Sequence, residues 1–499
     1  MSGVDRSIPV PLYYQLKELL REQISAGHLK PGDRLPTEDE LCEQFGISRT
    51  PVRQALAELV HDGLLVRIPA RGTFVVERVV RPEAAGLGAI RAVLPDDRWR
   101  QPLQSAAEQW NSEHPDDPID LNFQMVAHVE LRSTLIAAVG KGEAPDISVL
   151  DSVWVAEFAH QHYLQPLDEV DPDWLQLNGA GFFPVALEAN RYQGRLYALP
   201  ITADVSVLWY RKDWLAAEGF SPPSTWDEMV AIGRHFQEAR VRRRYGLGPH
   251  PLVFVAGKAG GETTTHQLLP LLWSAGGDLI CDRQVVLDSP EARRALTFLR
   301  ALVQELGLAP SEVVDYTWNQ AVRVFAQGKA VLALGGSYES FFIQHIAGWN
   351  GTQFRERVGF TPIPAAPGRQ PAVLAGGMSY VLYRQSRKPK GAMALLNMMG
   401  QTELLKPFCM GTGHIPPLRA TAQEMRSQGN SFVARTIPLL EIARARPVTP
   451  DYARVSAQFQ AMMEECVGGR REIGEILALA SERISAITGF PIARRAGDA

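Results

Sequence analysis

Cysteine and long apolar runs are scarce in this sequence, and each shortage excludes a class of protein. The 499 residues include four cysteines, which lie far apart and outside any CxxC or Cys/His motif, so we expect neither a zinc site nor a redox pair. Thiols this sparse fit a reducing, cytoplasmic setting. The sequence has no run of about 18 apolar residues, which excludes a membrane-spanning helix.

Charge of one sign is not in excess either. The 51 lysines and arginines nearly balance the 55 aspartates and glutamates, for a formal net charge of −4. We therefore expect no general attraction to nucleic acid or to an anionic membrane, and any contact with DNA has to be local. The first residues, MSGVDRSIPVPLYY, lack the apolar core of a signal peptide, so no signal peptide is predicted.

Residues 1–78 show the order helix, helix, tight turn, helix and hairpin. Apolar residues at helical spacing predict the first helix. Thr37, with Glu40 three residues later, predicts a capping box at the start of the second helix. Ser48 can cap a third helix, and two short strands are predicted at 64–68 and 73–76. This order is typical of a winged helix-turn-helix, whose last helix enters a major groove of DNA.

The arginines of this segment cluster on the third helix and the wing, whereas its acids crowd into the first two helices. Arg49 and Arg53 lie at the N-terminal end of the third helix, from which side chains reach base edges. Arginine can grip guanine O6 and N7 with two hydrogen bonds. Arg71 and Gly72, at the hairpin tip, can approach a minor groove or a phosphate. The alternative, a merely solvated arginine face, is disfavoured by the ordered motif.

The stretches PLYYQLKELLREQI, LKPGDRLPTEDELCEQFGISRTPVRQAL and LVRIPARGTFV resemble the DNA-binding domain of the GntR family over its whole length. The resemblance implies an operator-binding homodimer, since two-fold heads match two-fold DNA. Many members have arginine where this chain has Asp39, and an acid there should repel phosphate. The predicted DNA-contacting residues are Thr37, Ser48, Arg49, Thr50, Arg53, Arg71 and Gly72.

The rest of the chain is predicted to be a second, larger unit after a linker. Residues 79–88 mix charge, proline, alanine and glycine without periodicity, which is typical of a linker. All ten tryptophans lie at or beyond Trp99. Strands and helices alternate from there, which predicts a parallel α/β sheet. The predicted elements are strand 89–94, helix 103–114, strand 119–124, helix 131–139 and strand 144–150.

Short motifs in a fixed order run through residues 89–490, among them GKGEAPDISVLDSVWVAEF, RYQGRLYALPITADVSVLWYRKDWL, FAQGKAVLALGGSYES and LAGGMSYVL. In that order they resemble an extracellular solute-binding protein of the maltose-binding type. The resemblance implies two lobes, a ligand in the cleft between them, and closure by a hinge motion. The expected fold is therefore an N-terminal winged helix-turn-helix, mainly α, followed by a two-lobed α/β periplasmic-binding-protein-like domain.

The resemblance also points to a ligand site beyond the carboxyl ends of the strands, where open α/β sheets bind ligands. Carboxylates suit sugar hydroxyls and aromatic rings suit the CH face of a pyranose, a mix that is usual in small-ligand sites. For each ring the alternative is core packing, and we interpret Trp209, Trp214 and Trp226 as structural. The predicted ligand site comprises Asp151, Trp154, Asp204, Trp273, Ser337, Tyr338 and Gly377.

Motifs of catalysis are missing. The spacing around Lys258 does not fit a phosphate-binding loop, and the sequence spacing around His160, His162 and His266 suggests neither catalysis nor a metal site. We predict a non-enzymatic, cytoplasmic transcription regulator without metal, cofactor or membrane partner, whose partners are operator DNA and a small-molecule effector, a sugar or oligosaccharide. A non-sugar solute such as a polyamine or peptide remains an alternative, as does a protein-interaction platform.

Overall fold

Three helices and a hairpin form the first part of the structure. The computed structural model describes residues 12–25, 29–30, 32–61, 65–68, 72–75, 89–174, 178–427 and 431–493. The predicted order of elements is observed, and both strands agree with prediction to within one residue. The predicted linker and Arg71 lie outside the described residues. The elements are α1 (Leu12–Ser25), α2 (Glu38–Phe45), α3 (Arg49–His61), β1 (Leu65–Ile68) and β2 (Gly72–Val75).

Local sequence signals set the turn between α2 and α3. Glu40 N donates to Thr37 Oγ1 at 3.3 Å, and Thr37 N donates to Glu40 Oε2 at 2.7 Å, so the predicted capping box is confirmed. Gly46 ends α2 with φ +64°, a left-handed conformation that glycine adopts without cost. The apolar face of α3 packs inward through Val52, Leu56 and Leu59. Its opposite face is thereby left to solvent.

From Ile90 onward the described chain forms two α/β lobes, each built on its own sheet. Two further pairs of short strands form small hairpins. The strands, in chain order, are β3 (Ile90–Leu94), β4 (Leu121–Met125), β5 (Ile147–Asp151), β6 (Arg191–Tyr192), β7 (Arg195–Leu196), β8 (Ala198–Pro200), β9 (Asp204–Arg211), β10 (Leu252–Val253), β11 (Ile280–Cys281), β12 (Gln284–Val285), β13 (Leu332–Gly336), β14 (Val358–Thr361), β15 (Leu374–Gly376), β16 (Met378–Leu382) and β17 (Arg444–Ala445).

The sheet of lobe 1 has the strand order β4-β3-β5-β16-β8. Strand β3 pairs in parallel with β4 and β5, as predicted, while β16 runs antiparallel to β5 and β8. The sheet of lobe 2 has the order β10-β13-β9-β15-β17, and β14 also pairs with β9. There β9 runs antiparallel to β13, β14 and β15. Both sheets are therefore mixed.

Helices cover these sheets and bury their apolar faces. Trp209 and Trp226 are buried in the core, as predicted for structural residues. The helices of the lobes are Arg100–Glu113, His128–Gly140, Ser152–His160, Leu167–Val170, Pro184–Glu188, Lys212–Ala217, Trp226–Gln237, Ala239–Tyr245, Glu262–Ser274, Pro290–Gln304, Gln320–Ala326, Ser340–Ala347, Gly351–Arg357, Pro389–Met399, Thr402–Thr412, Arg419–Ser427, Phe432–Thr436, Tyr452–Gly468 and Ile473–Thr488.

The chain crosses between the lobes three times, and the first two crossing segments lie side by side. It passes from lobe 1 to lobe 2 between β8 and β9, returns between β15 and β16, and enters lobe 2 again between β16 and β17. Ile201 N donates to Met378 O at 3.0 Å, and Met378 N donates to Thr202 Oγ1 at 3.0 Å. Gly377 has φ +153°, and a Cβ there would lie 2.2 Å from Thr202 O. Only glycine allows the two crossing segments to lie this close.

Candidate functional site

The start of α3 presents a polar surface to solvent. Arg49 and Arg53 lie one helical turn apart, and each side chain is 62% exposed. Ser48 and Thr50 are exposed beside them. The structure thus brings together four of the residues predicted to contact DNA.

The other predicted contacts have different surroundings. The Thr37 hydroxyl donates to Glu40 Oε2 at 2.9 Å, so it belongs to the cap of α2. Gly72 begins β2 with φ +119°, and a Cβ there would lie 2.9 Å from Arg34 Nε. The start of the second wing strand therefore packs closely against an arginine that the sequence analysis did not single out.

Two acids at the start of α2 hold the arginines of this surface, a feature that sequence reasoning missed. Arg49 Nε donates to Asp39 Oδ1 at 2.7 Å, and Arg53 Nε donates to Glu38 Oε2 at 2.7 Å. Arg67, on β1, donates to the other oxygen of Glu38 at 2.9 Å. The hydrogen bond that Arg53 donates to Glu38 raises the pKa of Arg53. The sequence did carry a signal for these contacts. Within residues 1–78, the acids are concentrated in the first two helices and the arginines on the third helix and the wing, so the two sets can pair.

In lobe 2, the strand ends that carry the predicted ligand residues meet at one edge of the sheet. Gly336 pairs with Ser206 and Gly376 pairs with Asp204, so the ends of β13 and β15 lie beside the start of β9. In lobe 1, Asp151 ends β5 and pairs with Met378, next to the crossing segment. Both predicted edges therefore lie at the crossing between the lobes.

Six polar side chains form what we term the inter-lobe ion cluster. Arg446 Nη1 donates to Glu262 Oε1 at 2.8 Å, and its Nη2 lies 3.6 Å from Asp151 Oδ1. Arg446, which follows β17 in lobe 2, thus reaches a carboxylate of lobe 1. The members are Asp151 from lobe 1 and Asp204, Glu262, His266, Arg446 and Tyr452 from lobe 2.

Burial shapes the charges of this cluster. It raises the pKa of Asp204 to about 7, although Arg446 acts in the opposite direction. It also raises the pKa of Glu262. Burial lowers the pKa of His266 to about 3, so the imidazole is neutral, and its Nε2 lies 3.0 Å from Asp204 Oδ1. The cluster therefore offers carboxylates and one guanidinium, the acceptors and donors that hydroxyl-bearing ligands use.

The predicted aromatic residues differ in their positions. The Tyr338 ring packs against His266, with centroids 5.6 Å apart, so it lies at the cluster. Trp154 is half-buried in lobe 1 and stacks on His128, with centroids 5.5 Å apart. Trp273 is buried in the core of lobe 2, and its Nε1 donates to Asp278 Oδ1 at 2.9 Å. The structure gives Trp273 no place at the cluster.

Ser337 and Gly377 also have structural partners. Ser337 is fully buried, and its Oγ accepts a hydrogen bond from Val205 N at 3.1 Å. Gly377 lies in the crossing segment, where its carbonyl accepts from Ser152 N at 3.0 Å. Both residues shape the edge on which Asp204 and Asp151 stand. Their predicted role in ligand binding stays a prediction.

Sequence reasoning missed four members of the cluster: Glu262, His266, Arg446 and Tyr452. Glu262 and His266 are four residues apart on one helix, so they share a helix face. That spacing was a usable signal for these two. Arg446 and Tyr452 gave none, because only the chain path brings them to residues almost 200 or more positions earlier.

An exposed aromatic group at the same edge of lobe 2 was also missed. Phe341 and Phe342 lie in the first turn of the helix that follows β13, and the Phe342 ring lies 5.4 Å from that of Trp318. Trp318 is 38% exposed and Phe341 is 50% exposed. Exposed rings of this kind can provide the apolar wall of a binding site.

The space between the lobes beside the cluster is small. A cavity of about 20 Å³ lies between Ser152 and Ala156 on one side and Arg446 and Thr449 on the other. That volume holds roughly one water molecule. This pocket is therefore too small for a sugar with the lobes in their present positions.

Comparison with known proteins decides the family of the larger unit. Residues 97–404, more than half of the chain, match the model of the bacterial extracellular solute-binding proteins. The chain belongs to this family. Similar solute-binding proteins include a putative binding protein of Brucella abortus, 25% identical over 387 residues, which are 77% of this chain and 89% of that protein. The maltotriose-binding protein of Pyrococcus abyssi is 24% identical over 375 residues, which are 73% of this chain and 74% of that protein.

The first part of this solute-binding family member matches a second family. Residues 12–75 match the model of the gntR family of bacterial regulatory proteins. The transcriptional repressor NagR of Bacillus subtilis is 49% identical over 85 residues, which are 17% of this chain and 35% of NagR. The chain therefore combines a gntR-type segment with a solute-binding domain, as the sequence predicted, and neither matched family is one of enzymes.

Solved structures agree with the two-lobed fold. Maltose-bound MalE3 of T. maritima is similar with a TM-score of 0.66 and 24% identity, over 80% of this chain and 99% of that one. The GacH receptor of Streptomyces glaucescens is similar with a TM-score of 0.67 and 21% identity, over 81% and 99%. The predicted fold class is confirmed. None of the described helices is long and apolar enough to cross a membrane.

Proposed function

We propose that this chain is a ligand-responsive, operator-binding transcription regulator whose cleft binds a sugar or oligosaccharide. One observation carries the proposal. The same chain contains α3, with its exposed arginines, and a two-lobed domain whose lobes meet at the inter-lobe ion cluster. The proposed division is residues 1–78 for DNA binding, 79–88 for the linker and 89–490 for sensing. We further propose that the chain acts as a homodimer in the cytoplasm and has no enzymatic activity.

In the proposed mechanism, the solute takes over polar contacts that now join the lobes. Sugar hydroxyls donate to Asp151 and Asp204 and accept from Arg446, while Tyr338 and Trp154 offer rings to the CH face. Closure around the solute changes the geometry of the paired DNA-binding heads. A coupling of about 1–3 kcal/mol is enough for such regulation. The proposed sign is release of the operator when solute binds.

An amine is the second candidate solute, because the carboxylates of the cluster outnumber its guanidinium. Asp151, Asp204 and Glu262 surround the single cation Arg446, and an ammonium group would be attracted to them. The aromatic residues nearby suit a cation as well, through contact with ring faces. A sugar would therefore use these carboxylates as hydrogen-bond acceptors, whereas a polyamine would be attracted to their negative charge.

The test is a thermal-shift screen of the full-length protein against mono- and oligosaccharides, polyamines and short peptides. A ligand present at 100 times its dissociation constant adds about 2.7 kcal/mol of stability, which shifts the melting temperature measurably. A sugar hit supports the proposal, and an amine or peptide hit replaces the sugar. A flat panel from folded protein contradicts solute sensing and favours a protein-interaction platform.

Replacement of the cleft rings should weaken binding of the solute that the screen identifies. Tyr338→Ala and Trp154→Ala each remove apolar contact with the sugar face, and we expect a loss of about 1 kcal/mol in binding by titration calorimetry. Trp110→Ala is the matched control, because the Trp110 ring stacks on His114, with centroids 3.8 Å apart, and neither residue belongs to the inter-lobe ion cluster. Unchanged affinity in both cleft variants would show that these rings serve only packing.

A further inference from the structure

The arginines that face DNA in the proposed function are already oriented by acids within the protein. Asp39 and Glu38 stand in the first turn of α2, where the positive end of the helix dipole favours ionised carboxylates. Asp39 accepts from Arg49 Nε, and Glu38 accepts from Arg53 Nε, each at 2.7 Å. Both hydrogen bonds use the same edge of the guanidinium, the one that carries Nε.

The choice of that edge has a chemical consequence. A guanidinium is a planar fork with five N–H groups. When a carboxylate accepts from Nε, the end of the guanidinium formed by the two terminal amino groups of Arg49 or Arg53 still has N–H groups directed away from the carboxylate. That terminal pair matches the spacing of O6 and N7 of guanine in the major groove. A side chain held in this way loses less conformational entropy when it binds the base.

We propose that Asp39 and Glu38 are positioning residues that hold Arg49 and Arg53 for the reading of guanine. Glu38 has a second task, since its other oxygen accepts from Arg67 on β1 at 2.9 Å. The same carboxylate therefore ties the recognition helix α3 to the first strand of the wing. This inference rests on the proposed operator binding. It also gives Asp39 a role, the orientation of Arg49, at a position where an acid repels phosphate.

A purely competitive role makes the opposite prediction. Asp39 and Arg49 are 64% and 62% exposed, and ion pairs this exposed contribute little to folding. If the acids only occupied the arginines, their removal would release the guanidinium groups and strengthen binding to every DNA sequence. If they position the arginines, their removal lowers the preference for guanine at particular positions. Affinity and base preference therefore have to be measured separately.

The experiment uses the full-length chain and a library of randomised DNA duplexes. Sequences enriched by the unsubstituted protein supply the preferred duplex, and single-base replacements of each guanine supply the variants. Dissociation constants are then compared for the unsubstituted chain, Asp39→Asn, Asp39→Glu and Glu43→Gln. Glu43 is exposed on the same helix. Glu43→Gln removes one negative charge, as Asp39→Asn does, and it therefore serves as the control.

We expect Asp39→Asn to lower the discrimination at one guanine position by about tenfold, which is within the value of a bidentate arginine–guanine contact. Asp39→Glu should restore part of this preference, and Glu43→Gln should leave it unchanged. Tighter binding of Asp39→Asn to all duplexes, with the guanine preference intact, would overturn the inference while operator binding stands. If the unsubstituted chain enriches no sequence, operator binding itself fails and the inference fails with it.

Discussion

The DNA-binding surface and the cleft use the same pair of groups, a guanidinium and a carboxylate, in opposite surroundings. Arg49 is 62% exposed beside Asp39, whereas the side chain of Arg446 is 6% exposed among its partners. An exposed pair adds about 0–1 kcal/mol to stability, but removal of one partner from a buried pair costs about 3–5 kcal/mol. The exposed pair therefore serves to orient Arg49, whereas the buried contacts of Arg446 hold the two lobes together.

The largest effect is expected where the buried cation is removed. Arg446→Met leaves Asp151 and Glu262 without their shared partner, and we expect a loss of about 3–5 kcal/mol in the free energy of unfolding of the two-lobed domain. Urea denaturation measures this loss. Arg98→Met is the control, because Arg98 and its partner Asp96 are both exposed, and it should cost less than about 1 kcal/mol. Equal losses in the two variants would erase the contrast between buried and exposed pairs.

Removal of an exposed arginine should instead be seen in DNA binding. Arg49→Ala and Arg53→Ala are each expected to weaken specific operator binding by about 1–3 kcal/mol. The measurement is a mobility-shift titration at fixed salt, with thermal unfolding to show that each variant is folded. Arg98→Met again removes one positive charge, and it should leave operator affinity unchanged. Unaltered affinity in both α3 variants would remove this surface from the DNA contact.

The pH dependence of stability sharpens the comparison further, because Asp204 is buried whereas Asp39 is exposed. Burial raises the pKa of Asp204 from 3.8 to about 7, so the folded protein binds more protons than the unfolded chain in that range. The unfolding free energy should therefore fall as pH rises through it, by at most about 1.4 kcal/mol per pH unit for one group. Glu339, with its pKa raised to about 8, acts in the same direction.

His266 has the opposite sign. Its pKa is lowered from 6.5 to about 3, so its contribution is present above pH 6.5 and is lost as pH falls. Asp204→Asn removes the carboxyl and should make stability fall less steeply with rising pH between about 5 and 7. Denaturant unfolding at several pH values measures the slope, with Asp39→Asn as the exposed control. An unchanged slope in Asp204→Asn would contradict the raised pKa of this carboxyl.

Local signals in the sequence were sufficient for the DNA-binding module and for the first strands of lobe 1. The capping box of Thr37 and Glu40 and the left-handed Gly46 depend on residues within one turn, so their patterns are readable directly. The inter-lobe ion cluster depends on the crossing of the chain between lobes. Asp151 meets Arg446 only because β5 and β17 end on facing edges. Trp273 lies in the core of lobe 2 rather than at the cluster, and a core ring and a binding ring give the same sequence signal.

The position of β3 inside its sheet determines how firmly the upstream chain is attached to lobe 1. The chain enters the two-lobed domain at β3, which lies between β4 and β5 rather than at an edge. A pull on that entry point is therefore spread over hydrogen bonds to both neighbours. The upstream chain thus joins lobe 1 directly, whereas lobe 2 is connected to it only through the crossing segments. In the proposed function, lobe 1 is therefore the base to which the DNA-binding module is joined, and lobe 2 is the part whose position a solute would change.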